Sequence, residues 1–298
     1  MTVSFETWVH STQQNVECAL AGYLPDIHHN QNALRQLYRA MHYAVLNGGK
    51  RIRPLLVHAV GMLFDAQDRI LMPTACAIEM IHAYSLVHDD MPCMDNDVLR
   101  RGKPTVHIQY GEAMALLVGD ALQAQAFAVI AESGGDAALN NARMRVLTKA
   151  AGPSGMCGGQ AIDLNSIGIS LSSDDLKYMD RLKTGAILKA SVLLGALSSK
   201  MPADEELVAL EHYAEAIGLA FQVVDDILDV TSKTEVLGKT AGKDERDAKP
   251  TYVSLMGLEK AKILAETLCK QAHDSLALFD KKKHWLHELA DLIVYRKK

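Results

Sequence analysis

Twice in this chain a pair of aspartates closes a long apolar run. Asp89-Asp90 follow Ile78, Ile81, Leu86 and Val87, and Asp225-Asp226 follow Ile217, Phe221 and Val224. Adjacent carboxylates on an apolar helix repel each other and lose hydration, unless a cation compensates them. One such cluster alone is better read as a solvated helix end. Two, each preceded by about three turns of apolar sequence, favour a fold that brings both helix ends to one polar cavity.

The rest of the pattern is helical. Leu34, Leu37, Met41 and Val45 recur at three-and-four spacing, as do Leu207, Leu210, Ala214, Ile217, Phe221, Val224 and Leu228. Segments 71–91, 112–131, 141–152, 174–197 and 257–279 are rich in Ala, Leu, Met and charged helix formers. Ser172 or Ser173, before Asp174 and Asp175, predicts an N-cap. Strand-type alternation is scarce. The expectation is an all-α chain, one domain over 1–298, with about ten helices on short links. Segments 112–131 and 186–197 are apolar nearly all round, which predicts burial, in part against a second subunit.

In the first acidic motif Pro92 disfavours helical geometry at Met91. The helix should break there, leaving Asp89 on its last turn and Asp95 on a returning segment, with Asp97 close behind. In the second, Asp225 and Asp229 lie within about 40° on one helix face, and Gln222 sits one turn earlier. Carboxylates without Cys or His partners point to Mg²⁺ rather than zinc.

Four basic clusters accompany them: Gly48-Gly49-Lys50-Arg51-Ile52-Arg53-Pro54, Arg100-Arg101-Gly102-Lys103-Pro104, Lys183-Thr184-Gly185 and Gly238-Lys239-Thr240. Each alone reads as solvated charge. With two metal-gathering clusters they read as a phosphate cage, since Mg²⁺ commonly binds through one or two carboxylates plus substrate phosphates. None is a Walker A loop, because Lys233 occupies the position that needs glycine. No nucleophile–base pair is evident, so covalent catalysis has no candidate.

The formal net charge of −5 argues against nucleic acid as the main partner. The five cysteines are scattered and form no Cys-x-x-Cys pair, which predicts neither a disulfide framework nor a zinc site and fits the cytoplasm. The first residues lack a basic region followed by an apolar core, and no run approaches the ~18 uninterrupted apolar residues of a membrane span. Neither a signal peptide nor membrane insertion is expected.

With these residues in view, the chain resembles the trans-prenyl diphosphate synthases, and among them the bacterial farnesyl diphosphate synthases. The resemblance runs through GGKRIRP, IHAYSLVHDDMPCMDNDVLRRGKPTVH, GMCGGQAIDL, RLKTGAILKAS, GLAFQVVDDILDV and LGKTAGKD, nearly the whole chain. It implies a homodimer of all-α subunits, each with about ten helices around a central active-site cavity, and three Mg²⁺ ions. It implies metal ligands at Asp89, Asp95, Asp225, Asp226 and Asp229, with Asp90 beside them in the catalytic motif. Lys50, Arg53, His82 and Arg101 match positions that bind isopentenyl diphosphate. Arg100, Lys183 and Lys239 match positions that hold the allylic diphosphate, and Thr184 and Gln222 match positions lining the reacting carbons. On spacing alone His82, about 10 Å from Asp89 on the same face, reads as an ordinary core histidine. His88 is read as structural.

The resemblance also implies a chain-length device. Tyr84 lies roughly 7.5 Å deeper along the helix than Asp89, next to Ser85, and an aromatic ring there is expected to floor the cavity at fifteen-carbon products. The competing reading is that Tyr84 only packs. A terpene cyclase, which needs no isopentenyl diphosphate site, is disfavoured by Gly48–Pro54. A phosphohydrolase built on His88-Asp89 lacks further His ligands, and a non-catalytic partner subunit tends to lose one acidic motif. Pro250, after Lys249, departs from the family pattern. The basic end, Tyr295–Lys298, has two readings, a segment lying over the site or a solvated tail, and the tail is the one expected.

Overall fold

The computed structural model describes residues 3–28, 31–169, 171–231, 251–279 and 283–296. These form α1 (Phe5–Tyr23), α2 (Asn32–Val45), α3 (Ile52–Leu63), α4 (Asp68–Asp89), α5 (Val106–Tyr110), α6 (Glu112–Glu132), α7 (Ala137–Ala151), α8 (Met156–Asn165) and α9 (Ser173–Asp180). A π-helical turn (Arg181–Gly185) leads into α10 (Ala186–Leu197), and α11 (Asp204–Thr231), α12 (Tyr252–Met256), α13 (Leu258–Ser275) and α14 (His284–Val294) follow. The only strands among the described residues are a two-residue antiparallel pair, β1 (Leu99–Arg100) and β2 (Lys103–Pro104).

The all-α expectation holds, with two differences in detail. Segment 174–197 is not one helix but α9, the π-turn and α10. The short α5 and α12 carry no sustained periodicity and were invisible to it. The predicted N-cap is Ser172, whose hydroxyl accepts the Asp175 amide at 3.1 Å.

Two cores share a wall. One face of α3 and α10 (Leu56, Val60, Leu188, Val192) packs with α11, α13 and α14, while Val57, Ile187, Ala190 and Leu194 pack with α4 and α6. The described residues therefore make one domain. Trp8 of α1 stacks on Trp285 of α14, centroids 5.1 Å apart, so the first helix holds the last in place. Helices α4, α6 and α11 are long and apolar enough to cross a membrane by length and composition. Helices α4 and α11 turn most of that surface inward. Helix α6 leaves Leu116 and Leu117 exposed.

Candidate active site

The first acidic motif folds as its proline dictates. Helix α4 ends at Asp89, and the chain turns back so that the Asp95 amide donates to the Asp89 carbonyl (2.9 Å) and the Asp97 amide to the Asp90 carbonyl (3.1 Å). Asp89 accepts the Gln160 side-chain amide at 2.5 Å. Asp90 points the other way. It is buried and takes the Arg100 guanidinium through Nε (3.1 Å) and a terminal nitrogen (2.5 Å). Burial pushes its carboxyl above the usual range, against the pull of Arg100.

The second motif sits on the C-terminal part of α11. Asp226 accepts the Tyr252 amide, the first of α12, at 2.7 Å. Asp229, one turn on, is buried, and its Oδ1 has no hydrogen-bond partner among the described residues. Asp225 is paired at 2.6 Å with Arg296, whose guanidinium also lies 4.0 Å from the centroid of the Phe221 ring. This corrects the expected solvated tail at Arg296. Stacking on Phe221 and donation to the Phe221 carbonyl (2.9 Å) seat the arginine over the site rather than in water.

The basic wall is assembled from the α3 start and the β-hairpin. Arg51 is committed to structure: it pairs with Glu79 (2.5 Å) and Glu17 (2.6 Å) and donates to the Val45 carbonyl. Arg53 is not so balanced, since its Nε is buried without a partner among the described residues. Burial lowers the pKa of Arg53 and of Arg101, and like charges nearby add to it. Burial first, then Arg53, Arg101, Arg100 and Arg51, drives His82 well below its ordinary value, so it stands neutral in a cationic nest. Arg101 donates to the Gly48 carbonyl, and a Cβ on Gly49 would come within 2.6 Å of its guanidinium. Gly49, at φ +127°, is therefore required twice.

The π-turn presents Lys183 and Thr184. Lys183 donates to Asp163 of α8 at 2.6 Å. A Cβ on Gly159 would lie 2.1 Å from the Lys183 nitrogen, so the glycine lets α8 press against the wide turn. Gln222 contacts Asp180 at 3.4 Å. Asp180 is buried, and that burial raises its carboxyl to about 6.

These parts surround one cavity of ~660 Å³, lined by Asp89, Asp95, Asp225 and Asp226, by Arg53, His82, Arg100 and Arg101, and by Lys183, Thr184 and Gln222. Tyr84 and Ser85 line it too, with Met156, Cys157 and Ile187. The Tyr84 ring is buried, its hydroxyl 3.7 Å from Cys157 Sγ. Of the residues singled out from sequence, Lys50, Asp90 and Asp229 do not line the cavity, and Lys239 and Lys249 lie outside the described residues. His88 shows its imidazole to the cavity edge and contacts the Leu116 carbonyl at 3.1 Å. Sequence reasoning missed Gln160, Asp163, Asp180, Phe221 and Arg296. The GGQAIDL string held a signal for two of them, because Gln160 and Asp163 share a helix face at i,i+3.

Chemically this is a chamber with carboxylates on two facing helix ends, cations on its rim and an apolar floor. The four carboxylates that line it, Asp89, Asp95, Asp225 and Asp226, suit a hard divalent cation, and the Arg53 and Arg101 guanidiniums suit a polyanion. Such a chamber suits ligands with a polyanionic head and an apolar tail.

The chain belongs to the polyprenyl synthetase family, which matches residues 34–283. It is 46% identical over 264 residues to the farnesyl diphosphate synthase of Escherichia coli, covering 87% of this chain and 88% of that one. It is also 46% identical over 265 residues to the chloroplastic geranylgeranyl pyrophosphate synthase of Catharanthus roseus, covering 88% and 74%. The geranyltransferase of Helicobacter pylori complexed with magnesium and isoprenyl diphosphate superposes with a TM-score of 0.85 at 32% identity, covering 99% of this chain and 97% of that one.

Proposed function

We propose that this prenyltransferase condenses isopentenyl diphosphate head-to-tail with dimethylallyl and then geranyl diphosphate, giving farnesyl diphosphate. The observation that carries the reading is one cavity with acidic clusters on two helix ends, an unbalanced arginine rim and a tyrosine below. Asp89, Asp95, Asp225 and Asp226 would hold Mg²⁺, with Asp229 behind them, and three ions are the number the family resemblance implies. Bound Mg²⁺ would supply the charge neutralisation that lets an allylic diphosphate depart. Arg53, Arg101 and Lys50 bind the diphosphate of isopentenyl diphosphate, against neutral His82. Arg100, Lys183 and Lys239 hold the allylic diphosphate and favour its negative charge as the C–O bond ionises. Thr184 and Gln222 turn oxygens toward the cation. The alkene of isopentenyl diphosphate attacks it, and the proton lost leaves to the departed diphosphate. Phe221, Ile187, Met156 and Tyr84 keep water from quenching the cation.

Tyr84 supports a fifteen-carbon limit. Incubation with isopentenyl and dimethylallyl diphosphates, with and without Mg²⁺, followed by mass spectrometry tests both parts. A metal-dependent fifteen-carbon diphosphate is expected, and Tyr84→Ala should shift the product toward twenty carbons. A twenty-carbon product from the wild type would overturn the length reading, and no condensation by folded protein would overturn the reaction. A homodimer through the exposed leucines of α6, Leu116 and Leu117, is part of the proposal. So is a cytoplasmic compartment, in keeping with five free thiols, and no nucleic acid or membrane is invoked.

A further inference from the structure

Helices α13 and α14 pack together, and each carries ligating side chains one helical turn apart on a shared face: Cys269 and His273, His287 and Asp291. Asp291 Oδ1 lies 3.2 Å from Cys269 Sγ and 3.2 Å from His273 Nε2, and those two atoms are 3.9 Å apart. A tetrahedral zinc ion, with bonds of ~2.3 Å to sulfur and ~2.0–2.1 Å to nitrogen and oxygen, separates its ligands by about 3.3–3.6 Å. The three atoms thus outline one face of such a tetrahedron before any ion is added. The His287 ring lies parallel to that of His273, centroids 4.4 Å apart, and its Nε2 is buried with no hydrogen-bond partner among the described residues.

We propose that Cys269, His273 and Asp291 bind a zinc-type divalent ion, with His287 as a fourth ligand within one side-chain rotation. Thiolate and imidazole select zinc over magnesium, so the site is chemically distinct from the carboxylate clusters of the cavity. Without metal the Cys269 thiol donates to Asp291. Binding exchanges that proton for the metal: one S–H bond breaks, one S–metal bond forms, and the proton goes to solvent. The position gives the site a consequence. Helix α14 runs directly into Tyr295 and Arg296, and Arg296 covers Asp225, so an ion clamping α14 to α13 braces the segment that reaches the candidate active site.

The full-length protein, stripped with chelator, is titrated with Co²⁺ in excess Mg²⁺, which saturates oxygen sites. One equivalent should give a thiolate-to-cobalt band in the near ultraviolet and tetrahedral d–d bands in the visible, both abolished by stoichiometric Zn²⁺. Cys269→Ser should lose the thiolate band, while Cys18→Ser, at an exposed cysteine, should keep it. His273→Ala and His287→Ala should each weaken affinity by 10–100-fold. Should Cys269→Ser fail to fold, the near-isosteric Asp291→Asn serves, with an affinity loss of at least tenfold expected. Absence of a thiolate band in the wild type, its survival in Cys269→Ser, or unchanged affinity in Asp291→Asn would overturn the site.

Discussion

The two acidic clusters have similar sequences and are held in different ways. The first is fixed locally. Its loop closes on its own backbone within eight residues, and Asp90 is clamped by Arg100 ten residues on. The second is fixed from a distance. Asp226 depends on the Tyr252 amide, and Asp225 on Arg296, seventy-one residues away. The first motif therefore carries its own backbone scaffold and its Asp90 clamp, borrowing only Gln160 of α8 for Asp89, while the second borrows both of its partners from the C-terminal helices. Within the first, the adjacent carboxylates divide the work: Asp89 faces the cavity, while Asp90 faces the protein.

The comparison can be broken most strongly at the cavity-facing carboxylates. Asp89→Ala and Asp225→Ala should each lower kcat by about 10³-fold or more, in a labelled isopentenyl diphosphate incorporation assay, with native circular dichroism retained. Equal activity with either changed would remove the reason to treat the clusters as one site.

Asp90→Ala should separate the two roles. It leaves the half-buried Arg100 without its main partner, and a loss of about 2 kcal/mol is expected in urea unfolding. Asp89→Ala should leave stability nearly unchanged.

A smaller effect is expected at Asp180, beside Gln222. Its carboxyl is raised to about 6 in the folded state, chiefly by burial, above the ordinary 3.8. The folded protein then holds this proton more tightly than the unfolded chain, so the group's contribution falls as pH rises from about 4 to 6. Asp180→Asn should remove that penalty and be more stable than wild type by roughly 2 kcal/mol at pH 8, with little gain at pH 4. Parallel thermal unfolding at the two pH values checks the sign.

The smallest effect sharpens the second cluster. Arg296 occupies a carboxylate that a metal would use, so Arg296→Ala should lower the free Mg²⁺ needed for half-maximal binding by roughly 3–10-fold, an energy of about 1 kcal/mol. Calorimetry without substrate would show it. An unchanged Mg²⁺ midpoint would mean that the pair opens at no cost.

The sequence by itself marked the long helices α2, α4, α6, α7, α11 and α13, since apolar spacing reports the buried face directly, but not the short α5 and α12. It determined where α4 ends, because Pro92 removes helical geometry from Met91. It marked the ionisable residues that meet in the cavity, because carboxylates and arginines are too costly to bury without a reason. Tertiary structure decided everything that depends on atoms distant in sequence. The side chains of Asp89 and Asp90 separate because Gln160 and Arg100 approach from opposite sides. The π-turn in segment 174–197 packs against α8 at Gly159, where any side chain would strike the Lys183 backbone. Arg296 leaves water because Phe221 and Asp225 offer a stacked, charged seat. Cys269 and Asp291 meet because α13 packs on α14, a pairing that no count of cysteine spacings reveals. Periodicity and proline act through bonded geometry within a turn or two, whereas these contacts are set by packing between helices, which one-dimensional spacing does not record.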